Sequence, residues 1–123
     1  MAYQKAVEWC DATEEFKKRA AFSLMAYLAV HDKKADDAKL AAFLPLIEKH
    51  AEDNRPMVKK AVNWALRQIG KRSLSLHAPT VESAERIHGQ GTRSAKWIAS
   101  DALRELRSEA VLKRLKEKEA RKK

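Results

Sequence analysis

Three stretches of the chain repeat one residue pattern at nearly even spacing. K-R-A-A-F-S-L-M-A starts at Lys18, K-K-A-V-N-W-A-L-R at Lys59, and K-W-I-A-S-D-A-L-R at Lys96. The offsets are therefore 41 and 37 residues, which is typical of two-helix units in stacked helical arrays. Each stretch reads as the second helix of its pair. The repeat thus predicts three helix pairs that stack in chain order.

Composition supports a helical fold, because Ala, Leu, Lys, Glu and Arg dominate and there are only three Gly and three Pro. We predict an all-α protein, an α–α superhelix (solenoid) of about three HEAT-like helix pairs over residues 1–107. A basic tail, helical or frayed, is predicted to follow at residues 108–123. A globular six-helix bundle is the alternative architecture.

Hydrophobic spacing predicts helices at 2–10, 13–30, 38–52, 57–72, 80–88 and 95–107, with helical propensity again at 109–123. Pro45 lies inside the third of these and should bend or break it, because proline removes a helix hydrogen bond. Residues 73–78 are predicted to form a loop, with Pro79 close to the first turn of the following helix.

The segment from Met57 to Arg72 has the clearest two-faced pattern. Its apolar side consists of Val58, Ala61, Val62, Ala65, Leu66 and Ile69. Its other side carries Lys60, Trp64, Arg67 and Lys71. A tryptophan among cations and opposite a buried stripe favours a nucleic-acid-binding surface. A charged face whose Trp64 is covered by a neighbouring helix is the alternative.

Equivalent positions in the other two repeats extend this surface. Arg19 aligns with Lys60, and the segment from Lys96 presents Trp97, Asp101 and Arg104 on the side opposite its apolar stripe. The expected basic concave surface consists of Arg19, Lys60, Trp64, Arg67, Lys71, Trp97 and Arg104. Asp101 is interpreted as an ion-pair partner of Arg104 or Lys60. A carboxylate that stabilises positive charge on a bound nucleoside is the sharper alternative.

Charge is concentrated in the second half of the chain. Residues 1–54 carry eight Lys/Arg and ten Asp/Glu (net −2), residues 55–106 carry ten and four (+6), and residues 107–123 carry eight and three (+5). This asymmetry favours a polyanionic partner, most often nucleic acid and less often an acidic membrane surface. The longest apolar run, Ala20 to Val30, is shorter than the ~20 residues of a membrane-spanning helix, so no membrane partner is expected.

Other chemistry is weakly supported. The four histidines, at positions 31, 50, 77 and 88, show no metal-ligand spacing, and the only cysteine is the distant Cys10. We therefore expect no metal and no cofactor, although a Cys–His nucleophile pair stays open. G-Q-G at 89–91 reads as a linker rather than a phosphate loop. One cysteine and no apolar leader in residues 1–10 favour the reducing cytoplasm.

Three segments carry a family resemblance. V-K-K-A-V-N-W-A-L-R-Q-I-G-K-R, the preceding E-F-K-K-R-A-A-F and the later S-A-K-W-I-A-S-D-A-L-R-E-L resemble the C-terminal half of AlkD-type DNA alkylation repair proteins, over residues 3–106. The resemblance implies a HEAT-like solenoid that binds DNA in a basic concave groove. Glycosylase members of that family excise cationic N3- and N7-alkylated purines.

By this resemblance, Trp64 would lie against the lesion nucleotide, Arg67 would contact DNA one turn along, and Arg19 would contact the backbone from the preceding repeat. The family's catalytic carboxylate belongs to a W-x-x-x-D helix upstream of the segment matching Ala6 to Cys10, so its role is not assigned to Asp101. The resemblance predicts DNA binding, with alkylated duplex as the ligand, and leaves catalysis open. A homodimer or a separate partner that carries the N-terminal half is expected. A non-catalytic protein-interaction scaffold is the alternative function.

Overall fold

The computed structural model describes residues 2–121, which are organised as helices with no strand in that range. The helices are α1 (Ala2–Cys10), α2 (Glu15–His31), α3 (Asp37–Ala41), α4 (Leu44–His50), α5 (Pro56–Gly70), α6 (Leu74–Gly89), α7 (Arg93–Leu106) and α8 (Glu109–Arg121). The all-α prediction is confirmed. No helix in the described range is long and apolar enough to span a bilayer.

The helices pack in two layers. In one layer α2 contacts α5, and α5 contacts α7; we call this the second-helix layer. In the other layer α4 contacts both α1 and α6. Between the layers, α1 packs on α2, α4 on α5, and α6 on both α5 and α7. The second-helix layer thus joins α2, α5 and α7, the three helices that contain the repeated segments.

The apolar stripe of α5 lies at the centre of this stack. All six residues predicted for its apolar side are buried, as are Ile98, Ala99, Ala102 and Leu106 of α7. Burial of large aliphatic side chains on both helices stabilises the fold by roughly 1.5–3 kcal/mol for each side chain. With these stripes facing inward, Lys60 and Trp64 must face outward from the second-helix layer.

The third predicted helix is divided in two. Instead of one bent helix over 38–52, α3 ends at Ala41 and α4 begins at Leu44. Pro45 occupies the first turn of α4, where a backbone N–H would have no helical acceptor. The predicted break is therefore present, but proline starts a helix rather than interrupting one.

The predicted loop at 73–78 was wrong, because α6 already begins at Leu74. Ser73 caps this helix, and its Oγ accepts a hydrogen bond from the Leu76 backbone N at 3.2 Å. Pro79 lies inside α6. The His77 ring Nε2 is bonded to the Leu106 carbonyl at 2.7 Å, and Leu76 is buried, so tertiary contacts outweigh the cost of the proline.

Helix α8 covers part of α6 and α7. It buries Leu115, and Lys118 Nζ donates to the Arg72 carbonyl at 2.7 Å. Residues 122–123 of the predicted basic tail lie outside the described residues.

A close approach of three helices occurs at Gly70. A Cβ there would lie 2.7 Å from Leu106 Cδ2 and 2.9 Å from Thr80 Cγ2. We predict that Gly70→Val lowers the free energy of unfolding by about 2 kcal/mol through overpacking, measured by urea denaturation. Gly89→Val is the matched control, because a Cβ at Gly89 meets no atom within 4 Å, and should stay within about 0.5 kcal/mol. Equal effects at both glycines would contradict this account.

Candidate nucleic-acid interface

Trp64 lies on the outward face of α5 and is 39% exposed. Together with Lys60, Ala61 and Met57 of the same helix, it lines a cavity of about 350 Å³. Helix α2 completes the cavity with Arg19 and Ser23. We call it the Trp64 cavity. It brings together three of the predicted surface residues, from two helices 41 positions apart in sequence.

Among the described residues, no carboxylate forms an ion pair with the cations of the Trp64 cavity. Within residues 2–121, the Lys60 ammonium has no ion-pair or hydrogen-bond partner. The Arg19 guanidinium carbon lies 5.8 Å from the Phe16 ring, a cation–π contact that leaves its donors available. An exposed indole beside two cations can stack on a planar group and bind an adjacent anion.

The remaining predicted cations are paired with two carboxylates. Asp101 Oδ1 accepts from Arg104 Nη2 at 2.6 Å, and Asp101 Oδ2 lies 3.7 Å from Arg67 Nε. Glu105 Oε1 accepts from Arg67 Nη1 and Glu105 Oε2 from Lys71 Nζ, both at 3.2 Å. We call these five residues the carboxylate cluster. Four of them, with Ser108 and without Lys71, line a second cavity of about 400 Å³.

Asp101 therefore makes the predicted ion pair with Arg104 and lies near Arg67 rather than Lys60. Glu105 had no assigned role in the sequence, although its position eight residues after Trp97 places it on the same side of α7. Burial by itself would raise the pKa of Glu105, but the hydrogen bonds and charges of Arg67 and Lys71 hold that pKa below its usual range. Glu105 is consequently ionised at neutral pH.

Asn63 is a second residue that the sequence did not reveal. It is only 3% exposed, and its Oδ1 accepts from Arg67 Nε at 2.8 Å. Its Nδ2 donates to the Ile98 carbonyl of α7 at 3.1 Å. Its place at the border between the two sides of α5, next to Leu66 and Arg67, is the signal that could have identified it, because an amide buried at such a border needs partners.

Trp97 lies apart from both cavities and is 40% exposed. The Lys59 ammonium of α5 sits 5.2 Å from the centre of its ring. One aromatic face is thus already occupied by a cation. The two tryptophans of the predicted surface are therefore not equivalent, since Trp64 has no such cation over it in the described residues.

Packing also brings Cys10 close to a histidine, which the sequence did not predict. Ligand atoms of Cys10, Asp11 and His50 lie within 4.8 Å of one another. The Asp11 carboxylate is bonded to His50 Nε2 at 2.8 Å and to Lys49 Nζ at 3.1 Å. Burial raises the pKa of the Cys10 thiol, which donates to the Val7 carbonyl. Cys10 is therefore a protonated thiol at neutral pH, and we interpret it as a structural residue.

A comparison with family models decides the relationship. The model of the DNA alkylation repair enzyme family matches residues 2–123. The chain belongs to this family. The resemblance seen in the W-A-L-R and K-R-A-A-F segments is thereby confirmed. Searches of curated proteins and of solved structures each gave no significant match.

Membership in the DNA alkylation repair family covers the whole described chain, so it includes both the Trp64 cavity and the carboxylate cluster. The roles that the resemblance gives to Arg19, Trp64 and Arg67 stay predictions. The three side chains have different surroundings. Arg19 and Trp64 line an open cavity, whereas Arg67 is hydrogen-bonded to Asn63 and Glu105.

Proposed function

We propose that this protein binds duplex DNA in the context of alkylation repair. The Trp64 cavity is the observation that carries the proposal, because it combines an exposed indole with the cations of Lys60 and Arg19. Lys and Arg bind phosphates without sequence preference, and an aromatic face supplies stacking contacts to a nucleotide. A net charge of +9 favours encounter with a polyanion.

In the proposed complex, the backbone follows the second-helix layer from α2 across α5 to α7. Lys60 and Arg19 contact phosphates, and Trp64 lies against the sugar and base of an alkylated nucleotide. Arg67, Lys71 and Arg104 extend the phosphate contacts, and Trp97 flanks them. A cationic alkylated purine suits this arrangement because an indole face attracts positive charge.

Asp101 has a limited part in this proposal. Both of its oxygens face arginines, at 2.6 Å and 3.7 Å, so its charge is balanced within the protein. We therefore propose it as a residue that positions Arg104, and leave base excision outside the proposal. Release of 7-methylguanine from methylated duplex, abolished by Asp101→Asn, would contradict this assignment.

Salt titration tests the proposal. Affinity for a labelled duplex should fall steeply between about 50 and 200 mM salt, as expected for counterion release. Lys60→Gln should weaken binding of every sequence and flatten the log–log salt dependence by about one. Lys34→Gln is the matched control, because Lys34 is an exposed cation between α2 and α3, away from the cavity. Absence of duplex binding at low salt by folded protein would overturn the proposal.

A second candidate, a protein-interaction scaffold, rests on exposed apolar side chains of α2. Phe16, Tyr27 and Val30 are exposed there, with Phe16 at 63%. Exposed aromatic residues along one helix are typical of protein contacts. A second copy of this chain or another helical repeat chain is the proposed occupant. Sedimentation of wild type and Tyr27→Ser, each with and without duplex, separates the two candidates. Tyr27 contacts His31, whereas Phe16 contacts Arg19 of the Trp64 cavity, so DNA binding should survive the Tyr27 substitution.

A further inference from the structure

Arg67, at the centre of the carboxylate cluster, is held on one side by Asn63. Arg67 Nε donates to Asn63 Oδ1 at 2.8 Å, and Asn63 is itself anchored through Nδ2 to the Ile98 carbonyl at 3.1 Å. A buried amide with both ends bonded cannot turn without losing a hydrogen bond. Asn63 therefore holds the inner edge of the Arg67 guanidinium and leaves the Nη atoms directed away from it.

Glu105 occupies the position in front of those Nη atoms. Its two oxygens are divided between Arg67 Nη1 and Lys71 Nζ, each at 3.2 Å. Arg67 and Lys71 are four residues apart on α5, so they stand one above the other on the same side of the helix. A single anion thus bridges two cations from consecutive turns.

The contact of Glu105 with Arg67 and Lys71 has the geometry of one in which another anion can replace the carboxylate. Both distances exceed the 2.7–2.9 Å that is usual for short charge-assisted bonds. The side chains of Arg67, Lys71 and Glu105 are each between one fifth and about one third exposed. An anion from outside can reach the two cations, and Glu105 can turn toward water without leaving a buried charge.

A DNA phosphate presents the same chemistry as the Glu105 carboxylate, two oxygens that share a negative charge. We infer that Arg67 and Lys71 form a phosphate-binding pair, that Glu105 is the intramolecular anion occupying it, and that duplex DNA must displace this carboxylate. Asn63 is the positioning residue that keeps Arg67 in place during the exchange. This inference rests on the proposed function.

Because DNA must displace Glu105 from Arg67 and Lys71, the basic surface has two functional parts. The Trp64 cavity is open to a ligand at once, since its cations have no carboxylate partner in the described residues. The Arg67–Lys71 pair engages only when a phosphate replaces Glu105. The carboxylate therefore lowers affinity for any backbone that does not lie in register with both cations, because like charges repel at short distance.

The test compares binding of an undamaged labelled duplex by wild type, Glu105→Gln and a matched control. Glu105→Gln should bind about tenfold more tightly at low salt, with a log–log salt dependence steeper by about one. Glu82→Gln removes the same charge from an exposed position of α6, in the other helix layer, and should change affinity by less than about twofold. Circular dichroism confirms that each variant is folded.

A double substitution shows whether Glu105 acts through its partners. In a background that carries both Arg67→Gln and Lys71→Gln, Glu105→Gln should give no more gain than Glu82→Gln, because both cations that the carboxylate occupies are gone. A full tenfold gain in that background would overturn the inference, since it would reflect net charge alone. An unchanged affinity for Glu105→Gln, with wild type binding normally, would also overturn it while leaving the proposed function intact. If neither wild type nor Glu105→Gln binds duplex, the proposed function fails and the inference with it.

Discussion

Asp53→Asn is expected to lower the free energy of unfolding by about 3 kcal/mol, the cost of breaking a buried ion pair from one side. Asp53 Oδ2 bonds Lys18 Nζ and Arg55 Nη2, each at 2.8 Å. Asp53 Oδ1 accepts from the backbone N and the Nε of Arg55. Lys18 is only 8% exposed, so removing the carboxylate charge leaves a buried ammonium unpaired. Chemical denaturation at neutral pH measures the loss.

The pH dependence gives the same prediction an independent readout. Hydrogen bonds from Arg55 and then Lys18 hold the pKa of Asp53 well below its usual range. Because the native pKa lies below the unfolded value of about 3.9, the stabilisation is complete at neutral pH. It is lost as the pH falls below about 5 toward the native pKa. Wild-type stability should therefore approach that of Asp53→Asn in acid.

A surface pair provides the control for Asp53. Glu85 bonds Arg107 at 3.2 Å, and both side chains are more than half exposed. Glu85→Gln should cost less than about 1 kcal/mol. If Asp53→Asn and Glu85→Gln lower the free energy of unfolding by similar amounts, the burial of Lys18 does not add to the destabilisation caused by removing the Asp53 charge.

Trp64→Ala is expected to weaken duplex binding by roughly 10- to 100-fold, since stacking on an aromatic side chain contributes ~1–3 kcal/mol for each base. The loss should appear in equilibrium titrations at fixed salt, with little change in the salt dependence, because no charge is removed. Trp64→Phe keeps an aromatic face and should recover most of the affinity.

Trp97→Ala is the comparison that gives this prediction its specificity. Lys59 already covers one face of the Trp97 ring, so its truncation should reduce affinity by less than about fivefold. Equal losses at Trp64 and Trp97 would contradict the unequal roles that the two environments indicate. A loss at Trp64 matched by a fall in melting temperature would indicate a packing role instead.

Features that depend on a single helix or a short segment could be predicted from the sequence. The buried side of α5 followed from the 3.6-residue period of its apolar residues, and every predicted member of that side is buried. The cap of α7 is a local feature of the same kind, since Thr92 directly precedes the helix and its Oγ1 accepts from the Ala95 backbone N. The family also followed from sequence, since its W-A-L-R and K-R-A-A-F segments are local patterns.

Features that depend on contacts between residues distant in sequence could not be predicted. The start of α6 depends on contacts between its first turn and α7, in particular His77 with the Leu106 carbonyl. Those contacts outweigh the local preference against helix before Pro79. Glu105 was overlooked for a similar reason, because its partners on α5 are 34 and 38 residues away in sequence.

By itself, the sequence determined that the chain is helical, which side of α5 and α7 is buried, and that cations and tryptophans line the other side. Only the tertiary structure decided which of those cations are available. Arg19 and Lys60 border an open cavity with Trp64, whereas Arg67 and Lys71 are bridged by Glu105. The physical reason is that periodicity fixes the direction of a side chain on its own helix, but ion pairing depends on ångström-scale distances between helices.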